Sequence, residues 1–186
     1  MSDSKVRHRI IPSRYGDVIV VWHEDEAGPK ILGLTLPRAG VNDREHPACS
    51  YPPTTAIGRL CDQIARYLDG EALELPVDYL DRTRCSNFQW RVLMAEKAIP
   101  RGYVCSYGQL AAVVGKPKAA RAVGTALARN PFPIIIPCHR TVRRDGSLGG
   151  FGGGLPLKRA LLEMEGVAFD HRGRVRPEHF WVGGRS

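Results

Sequence analysis

The chain has 186 residues, enough for one or two small domains, and its 43% hydrophobic and 8% aromatic content exclude global disorder. Its 27 Lys and Arg against 19 Asp and Glu leave a net charge of +8, which favours a polyanionic partner such as nucleic acid. No apolar run approaches the roughly 20 residues that span a bilayer. The opening Met1-Ser-Asp-Ser-Lys-Val-Arg-His-Arg9 has no signal-peptide stretch, so a soluble, cytoplasmic protein without membrane association is expected.

From Val6 to Leu36, short apolar runs alternate with turn residues. Val18–Trp22 and Ile31–Leu36, separated by Glu24-Asp-Glu-Ala-Gly-Pro29, predict a hairpin or small meander. Pro37 to Pro53 reads as a loop. Ile57, Leu60, Ile64 and Leu68 follow helical spacing, and Gly70 supplies the stop. Pro76 to Ser86 reads as an extended linker between two domains. Beyond it the pattern is helical, with a helix over Phe88–Ala98 ended by Pro100-Arg-Gly102. Ser106 is an N-cap for Tyr107–Val114, and Gly115 suits the left-handed position after that helix. Another helix is expected from Lys118 to Ala128, with Pro117 at its start and Asn130-Pro131 as its break. Ile134–Ile136 is a short buried strand-like run, followed by the Gly-rich stretch Gly146–Gly154 and a last helix over Pro156–Glu165. The tail from His171 either packs back or stays mobile.

Five cysteines, Cys49, Cys61, Cys85, Cys105 and Cys138, are odd in number and irregular in spacing, which argues against a disulfide framework. No Cys-x-x-Cys pair exists, and His46 with Cys49 offers only half a zinc site, so no metal and no cofactor is expected.

Tyr107 to Arg129 reads as helix, glycine turn, helix: a helix-turn-helix or an ordinary enzymatic helical hairpin. Charge favours the first. Between Pro100 and Ala160 stand ten Lys and Arg against the single acid Asp145, a local +9 that exceeds the net charge of the whole chain. The second helix offers Arg121 amid alanines and a glycine. Reading bases in the major groove needs several long hydrogen-bonding side chains. Small side chains instead allow close approach to the backbone or minor groove, so DNA binding with little sequence specificity is expected.

Cys138 follows a rigid apolar run and Pro137 and precedes His139 and Arg140, with Arg143 and Arg144 beyond. A neighbouring imidazole and positive charge favour the nucleophilic thiolate. Spacing alone leaves the reaction unnamed.

Pro137-Cys-His-Arg140 closely resembles the active-site motif of the O6-alkylguanine-DNA alkyltransferases, or methylated-DNA–protein-cysteine methyltransferases. The resemblance extends through Ile99-Pro-Arg-Gly102, Ser106-Tyr-Gly-Gln-Leu-Ala111, Lys118-Ala-Ala-Arg-Ala-Val-Gly124, Asn130-Pro131, Gly149–Leu155 and Lys158–Gly166. It is strong over Phe88–Gly166 and loose before, where Ile64–Gly70 is a weaker echo.

The resemblance implies an α+β protein. A small N-terminal α/β domain with a three-stranded antiparallel sheet (residues 1–80) would precede a mostly helical, winged-helix-like domain containing the helix-turn-helix (81–170) and a tail (171–186). It implies direct-reversal repair: the duplex is held through its minor groove, and O6-alkylguanine (or O4-alkylthymine) is flipped out of the stack. The alkyl group then passes irreversibly to Cys138 in a single turnover. Catalytic roles fall to Cys138, to His139 as a base reached through a water, to Glu165 orienting it, and to Asn130 at a hinge. DNA contacts fall to Arg121, which replaces the flipped base, and to Tyr107, Lys118, Ala120 and Arg140. The pocket falls to Tyr107, Pro133, Phe151, Gly152 and Lys158. The partner would be lesion-bearing double-stranded DNA, met by a monomer, with clustering along the duplex left open.

Where many relatives carry Tyr-Ser in the pocket loop, this chain has Phe151-Gly152. The glycine keeps a backbone N–H for the guanine O6 and gains space, which suggests tolerance of bulkier alkyl groups. Arg129 and Cys85-Ser-Asn87 also depart from the pattern. Two other readings compete: a regulator whose Cys138 senses alkylation or oxidation, and a cysteine hydrolase or acyltransferase.

Overall fold

The computed structural model describes residues 6–37 and 55–183. The fold is α+β and comprises two compact units: Met1–Arg84 together with Pro131–Ile135, and Cys85–Asn130 together with Ile136–Ser186.

In the first unit, β1 (Arg7–Ile11), β2 (Val18–Asp25) and β3 (Gly28–Thr35) form an antiparallel sheet in that order. The expected hairpin is present, but its turn shrinks to Glu26-Ala27, because Asp25 pairs with Gly28 and its carboxylate accepts from the Ala27 N–H at 2.9 Å. Gly28, at φ 102°, supplies the left-handed backbone this closure requires. Val18, Ile19, Val20 and Trp22 bury the middle strand. The helix α1 (Thr55–Leu68) lies against β1 and buries Ile57, Leu60, Ile64 and Leu68, the positions that its spacing marks.

Two stretches depart from the sequence reading. Tyr79–Asp81 is not free linker: Ile31 donates to the Tyr79 carbonyl at 2.7 Å and accepts from Asp81 at 3.0 Å, with Leu80 buried. An edge strand has backbone groups to satisfy, and this segment satisfies those of β3. Ile134–Ile136 is buried but is not a strand; Ile134 turns at φ 73°, a region that β-branched residues rarely enter. Pro131, Pro133 and Pro137 remove the donors a ladder would need. The Pro131 carbonyl instead accepts from Leu34 at 2.8 Å. His46 and Cys49, the half metal site, lie outside the described residues, as does most of the expected Pro37–Pro53 loop.

The second unit holds α2 (Asn87–Lys97), β4 (Cys105–Ser106), α3 (Tyr107–Val113), α4 (Ala120–Ala128), β5 (Thr141–Val142) and α5 (Gly154–Met164). Ser106 caps α3 in a reciprocal box with Gln109, and Gly115 at φ 72° closes that helix. The next helix begins two residues later than expected. Pro117 disfavours helical backbone at Lys116, and the Lys116 carbonyl closes a turn by accepting from Ala119 at 2.8 Å. Gln89 on α2 donates to the Ala126 and Arg129 carbonyls at 3.2 and 2.9 Å, and Arg91 to the Val114 carbonyl at 2.6 Å. These bonds fasten the helical hairpin to α2, and Val92, Leu93, Leu110, Ala111, Val123 and Leu127 are buried in the same unit.

The tail packs back. Val104 donates to the His179 carbonyl and accepts from Trp181, both at 2.8 Å, while Val175 and Phe180 join a cluster with Val104, Val142, Leu162 and Val167. His179 bridges the Gly102 carbonyl at 2.8 Å and the Ala168 N–H at 3.0 Å, which assigns the neutral tautomer protonated at Nδ1.

Candidate active site

β4 and β5 run parallel, with Cys105 opposite Thr141, and this pairing sets the 3-10 turn Cys138–Arg140 just ahead of β5. All three side chains of the turn are buried. The Asn130 side chain reaches back across the chain reversal: its amide donates to the Ile136 carbonyl at 3.1 Å, and it hydrogen-bonds the Cys138 sulfur. Asn130 is therefore a thiol partner.

The sequence reading expects a thiolate at rest. Burial decides otherwise and pushes the Cys138 thiol up to about 11; the Asn130 bond and the Lys158 charge work against this without reversing it. Buried Cys105 and Cys61 are also raised, to about 12 and about 11, so acidity does not distinguish Cys138. Its surroundings do.

Glu165, at the C-terminal end of α5, is the centre of those surroundings. His139 Nε2 stands 3.2 Å from its Oε1, and Arg140 donates through both Nε and Nη2 at 2.9 and 2.6 Å. The third Arg140 nitrogen donates to the Ile99 carbonyl at 2.6 Å. Burial would raise the Glu165 carboxyl, but His139 and Arg140 outweigh it and hold it well below the usual range. Arg140 is the permanent cation of the two. Burial lowers the imidazole pKa, so His139 is neutral, donates from Nε2 to the carboxylate and keeps Nδ1 as its basic nitrogen. Phe151 stands edge-on to that ring, with centroids 6.2 Å apart. Arg140, expected at the DNA, is turned inward onto Glu165.

Lys158 is fully buried and fastens two backbone carbonyls, Thr141 at 2.6 Å and Gly149 at 3.2 Å. Burial lowers its ammonium to about 8, while Cys138 and Glu96 pull it upward. The sequence does not single out Glu96, which reads there as one more helix charge. Only its complete burial on α2 reveals it.

Tyr107 opens α3 with its ring packed between two glycines. A Cβ on Gly149 would stand 2.2 Å from the tyrosine oxygen, and one on Gly124 would stand 3.7 Å from the ring. Burial raises the phenol pKa, so it keeps its proton. We expect Gly149→Ala to displace Tyr107 and lower the transfer rate at least about tenfold, since misplacing a positioning group by about 1 Å costs up to about a hundredfold. A rate within twofold of wild type in single-turnover kinetics would contradict this.

Lys118 and Arg121 are exposed around the start of α4, and Ala120 is half-buried there. Gly152 is exposed, and a Cβ there would meet nothing within 4 Å. Pro133 is buried in the Pro131–Ile135 run of the first unit. Among the described residues, no group of His, Cys, Asp and Glu forms a metal cluster, and no helix is long and apolar enough to cross a membrane.

Residues 87–167 match the family model described as the DNA-binding domain of 6-O-methylguanine DNA methyltransferase. The methylated-DNA–protein-cysteine methyltransferase of Methanothermobacter thermautotrophicus is 42% identical over 154 residues, which is 83% of this chain and 82% of that protein. The Mycobacterium tuberculosis protein of the same name is 47% identical over 162 residues, 86% of this chain and 92% of its own. A crystal structure of Mycobacterium tuberculosis OGT in complex with DNA superposes with a TM-score of 0.66 at 38% identity, covering 86% of this chain and 92% of that one. A Cys-His-Arg turn buried on a carboxylate, within a sequence this similar along most of its length, leaves one assignment: the chain belongs to the methylated-DNA–protein-cysteine methyltransferases, DNA-repair enzymes that act by alkyl transfer.

Proposed function

We propose that Cys138 accepts the alkyl group of O6-alkylguanine, and of O4-alkylthymine, from a base flipped out of duplex DNA, once per protein molecule. The observation that carries this reading is the buried turn Cys138–Arg140, with Asn130 against its thiol and Glu165, at the end of α5, against His139 and Arg140. A resting thiol must lose its proton as it attacks, and a neutral His139 held by an ionised Glu165 is a competent base, with a water as relay. Sγ bonds to the alkyl carbon, the bond from that carbon to O6 breaks, and the guanine takes up a proton, for which Tyr107 is a donor close at hand. The resulting thioether has no route back to a thiol, so turnover ends there.

Arg121, Lys118 and Ala120 face the duplex in this reading. Arg121 fills the gap that the flipped base leaves, and the small residues of α4 allow close, sequence-tolerant approach. Arg140 serves the site from within as the counter-ion of Glu165. Phe151, Gly152 and Lys158 bound the base pocket; the space at Gly152 suits alkyl groups larger than methyl. The protein acts as a monomer in the cytoplasm, with no cofactor.

One experiment tests both parts: titrate the protein with excess duplex carrying O6-methylguanine or O6-benzylguanine. The expected result is a plateau at one alkyl group per protein for either lesion, with the benzyl rate no lower than the methyl rate. Continued turnover would overturn the transfer reading, and a strong preference for methyl would overturn the pocket reading.

A further inference from the structure

Glu96 is one of the fully buried titratable side chains of the second unit, with His139 and Lys158. It is fully buried on α2, and the Thr141 hydroxyl donates to its Oε2. Its Oε1 accepts no hydrogen bond among the described residues. The same Thr141 accepts from Lys158 through its carbonyl, so one residue of β5 joins the carboxyl on one side to the ammonium on the other. Lys158 in turn holds the Gly149 carbonyl, in the stretch leading to Phe151-Gly152. The Lys158 charge lowers the Cys138 thiol pKa, while a Glu96 carboxylate raises both that thiol and the Lys158 ammonium.

A buried carboxyl with one side-chain partner and an unsatisfied oxygen is expensive to keep. A leucine would fill its place without that cost. Thr141 is the hydrogen-bond partner of this carboxyl, and the same Thr141 carbonyl accepts from the buried Lys158 ammonium. The other groups facing Glu96 are Arg140 beside the turn, the Cys105 thiol on β4, the Tyr107 phenol on α3 and Cys138; Arg143 faces Lys158. Arg140 is committed to Glu165, and Cys105 and Tyr107 are neutral, so Lys158 is the cation whose charge depends on Glu96.

We propose that Glu96 is a positioning residue for alkyl transfer: the buried counter-ion that keeps the Lys158 ammonium charged beside Cys138 and the Gly149 loop fastened. The role rests on the reading of Cys138 as acceptor and acts through Lys158, without contact with DNA. It carries a pH signature. Burial lifts the Glu96 carboxyl to about 7, so it is neutral in mild acid and anionic above neutrality, where Lys158, at about 8, needs support. Removing the carboxylate therefore matters only above neutral pH.

Stability moves the opposite way. A carboxyl whose pKa is raised by folding contributes fully below its unfolded value of 4.5 and loses that contribution as pH rises through about 7. Glu96→Gln, which can still accept from Thr141, should therefore melt higher than wild type in mild alkali. A merely structural role would raise or lower stability and activity together; here they diverge.

The test compares single-turnover rates on O6-methylguanine duplex for wild type, Glu96→Gln, Glu96→Leu and Glu96→Asp across the pH range. The expected ratio of Gln to wild type is near unity at about pH 6 and falls about fivefold by about pH 8, the effect at that pH of one pKa unit lost from Lys158. Leu should behave like Gln, and Asp should restore the rate. A ratio that is flat with pH, or that rises above one in alkali because the carboxylate merely opposed the thiolate, overturns the proposal. Failure of wild type to transfer would instead overturn the reading of Cys138.

Discussion

Glu165→Gln is expected to damage fold and chemistry together. The carboxylate accepts two hydrogen bonds from Arg140 and faces His139, and all three side chains are almost entirely enclosed. Removing the charge takes the anion away from the buried Arg140 guanidinium, which also donates to the neutral Ile99 carbonyl. Breaking a buried pair from one side costs about 3–5 kcal/mol. That is a large share of the roughly 5–15 kcal/mol that separates most folded domains from unfolding. The rate should also fall by about a hundredfold or more, since general-base catalysis of that size depends on an imidazole held in one tautomer. Chemical denaturation and single-turnover kinetics check the two halves; an unchanged denaturation midpoint or an unchanged rate would contradict the assignment. Acid provides a second check. Because folding depresses the Glu165 carboxyl, its stabilising contribution is complete above the unfolded value of 4.5 and disappears as pH falls below it. The wild-type protein should lose stability in that acid range more steeply than Glu165→Gln.

Cys138→Ala is expected to have the opposite profile, with chemistry lost and fold and DNA binding kept. The sulfur is small, neutral at rest and bonded to one amide, so its loss costs about 1 kcal/mol, the scale of one neutral hydrogen bond. In the proposed reaction no other group takes the alkyl carbon. Transfer should fall below detection, while affinity for an undamaged duplex changes less than about twofold, because phosphate contacts dominate binding and lie elsewhere. Residual transfer in this variant would move the acceptor role to another cysteine.

Much of the fold is legible in the sequence, because it depends on local rules. Ser106 and Gly115 mark the ends of α3 through capping and left-handed backbone, and Ile57 to Leu68 mark the buried stripe of α1 through spacing. The errors are non-local. Nothing within Pro76–Ser86 says that Tyr79–Asp81 completes the edge of β3, and the apolarity of Ile134–Ile136 conceals a turn that the surrounding prolines impose. In the site, sequence neighbours mislead about charge. Arg140 follows Cys138 by two residues and reads as a surface cation, yet its partner lies 25 residues away. The cations around Cys138 suggest a thiolate, and only burial shows that a neutral thiol wins. Glu96 stands 45 residues from Thr141, and no spacing within α2 points to it.

The most direct measurement is the mass of each cysteine peptide after the protein meets one equivalent of O6-methylguanine duplex. The account predicts a gain of one methylene, about 14 Da, confined to the Cys138 peptide, because covalent transfer must leave its adduct on the nucleophile. An unmodified Cys138, or the same gain on Cys61, Cys85 or Cys105, would contradict it.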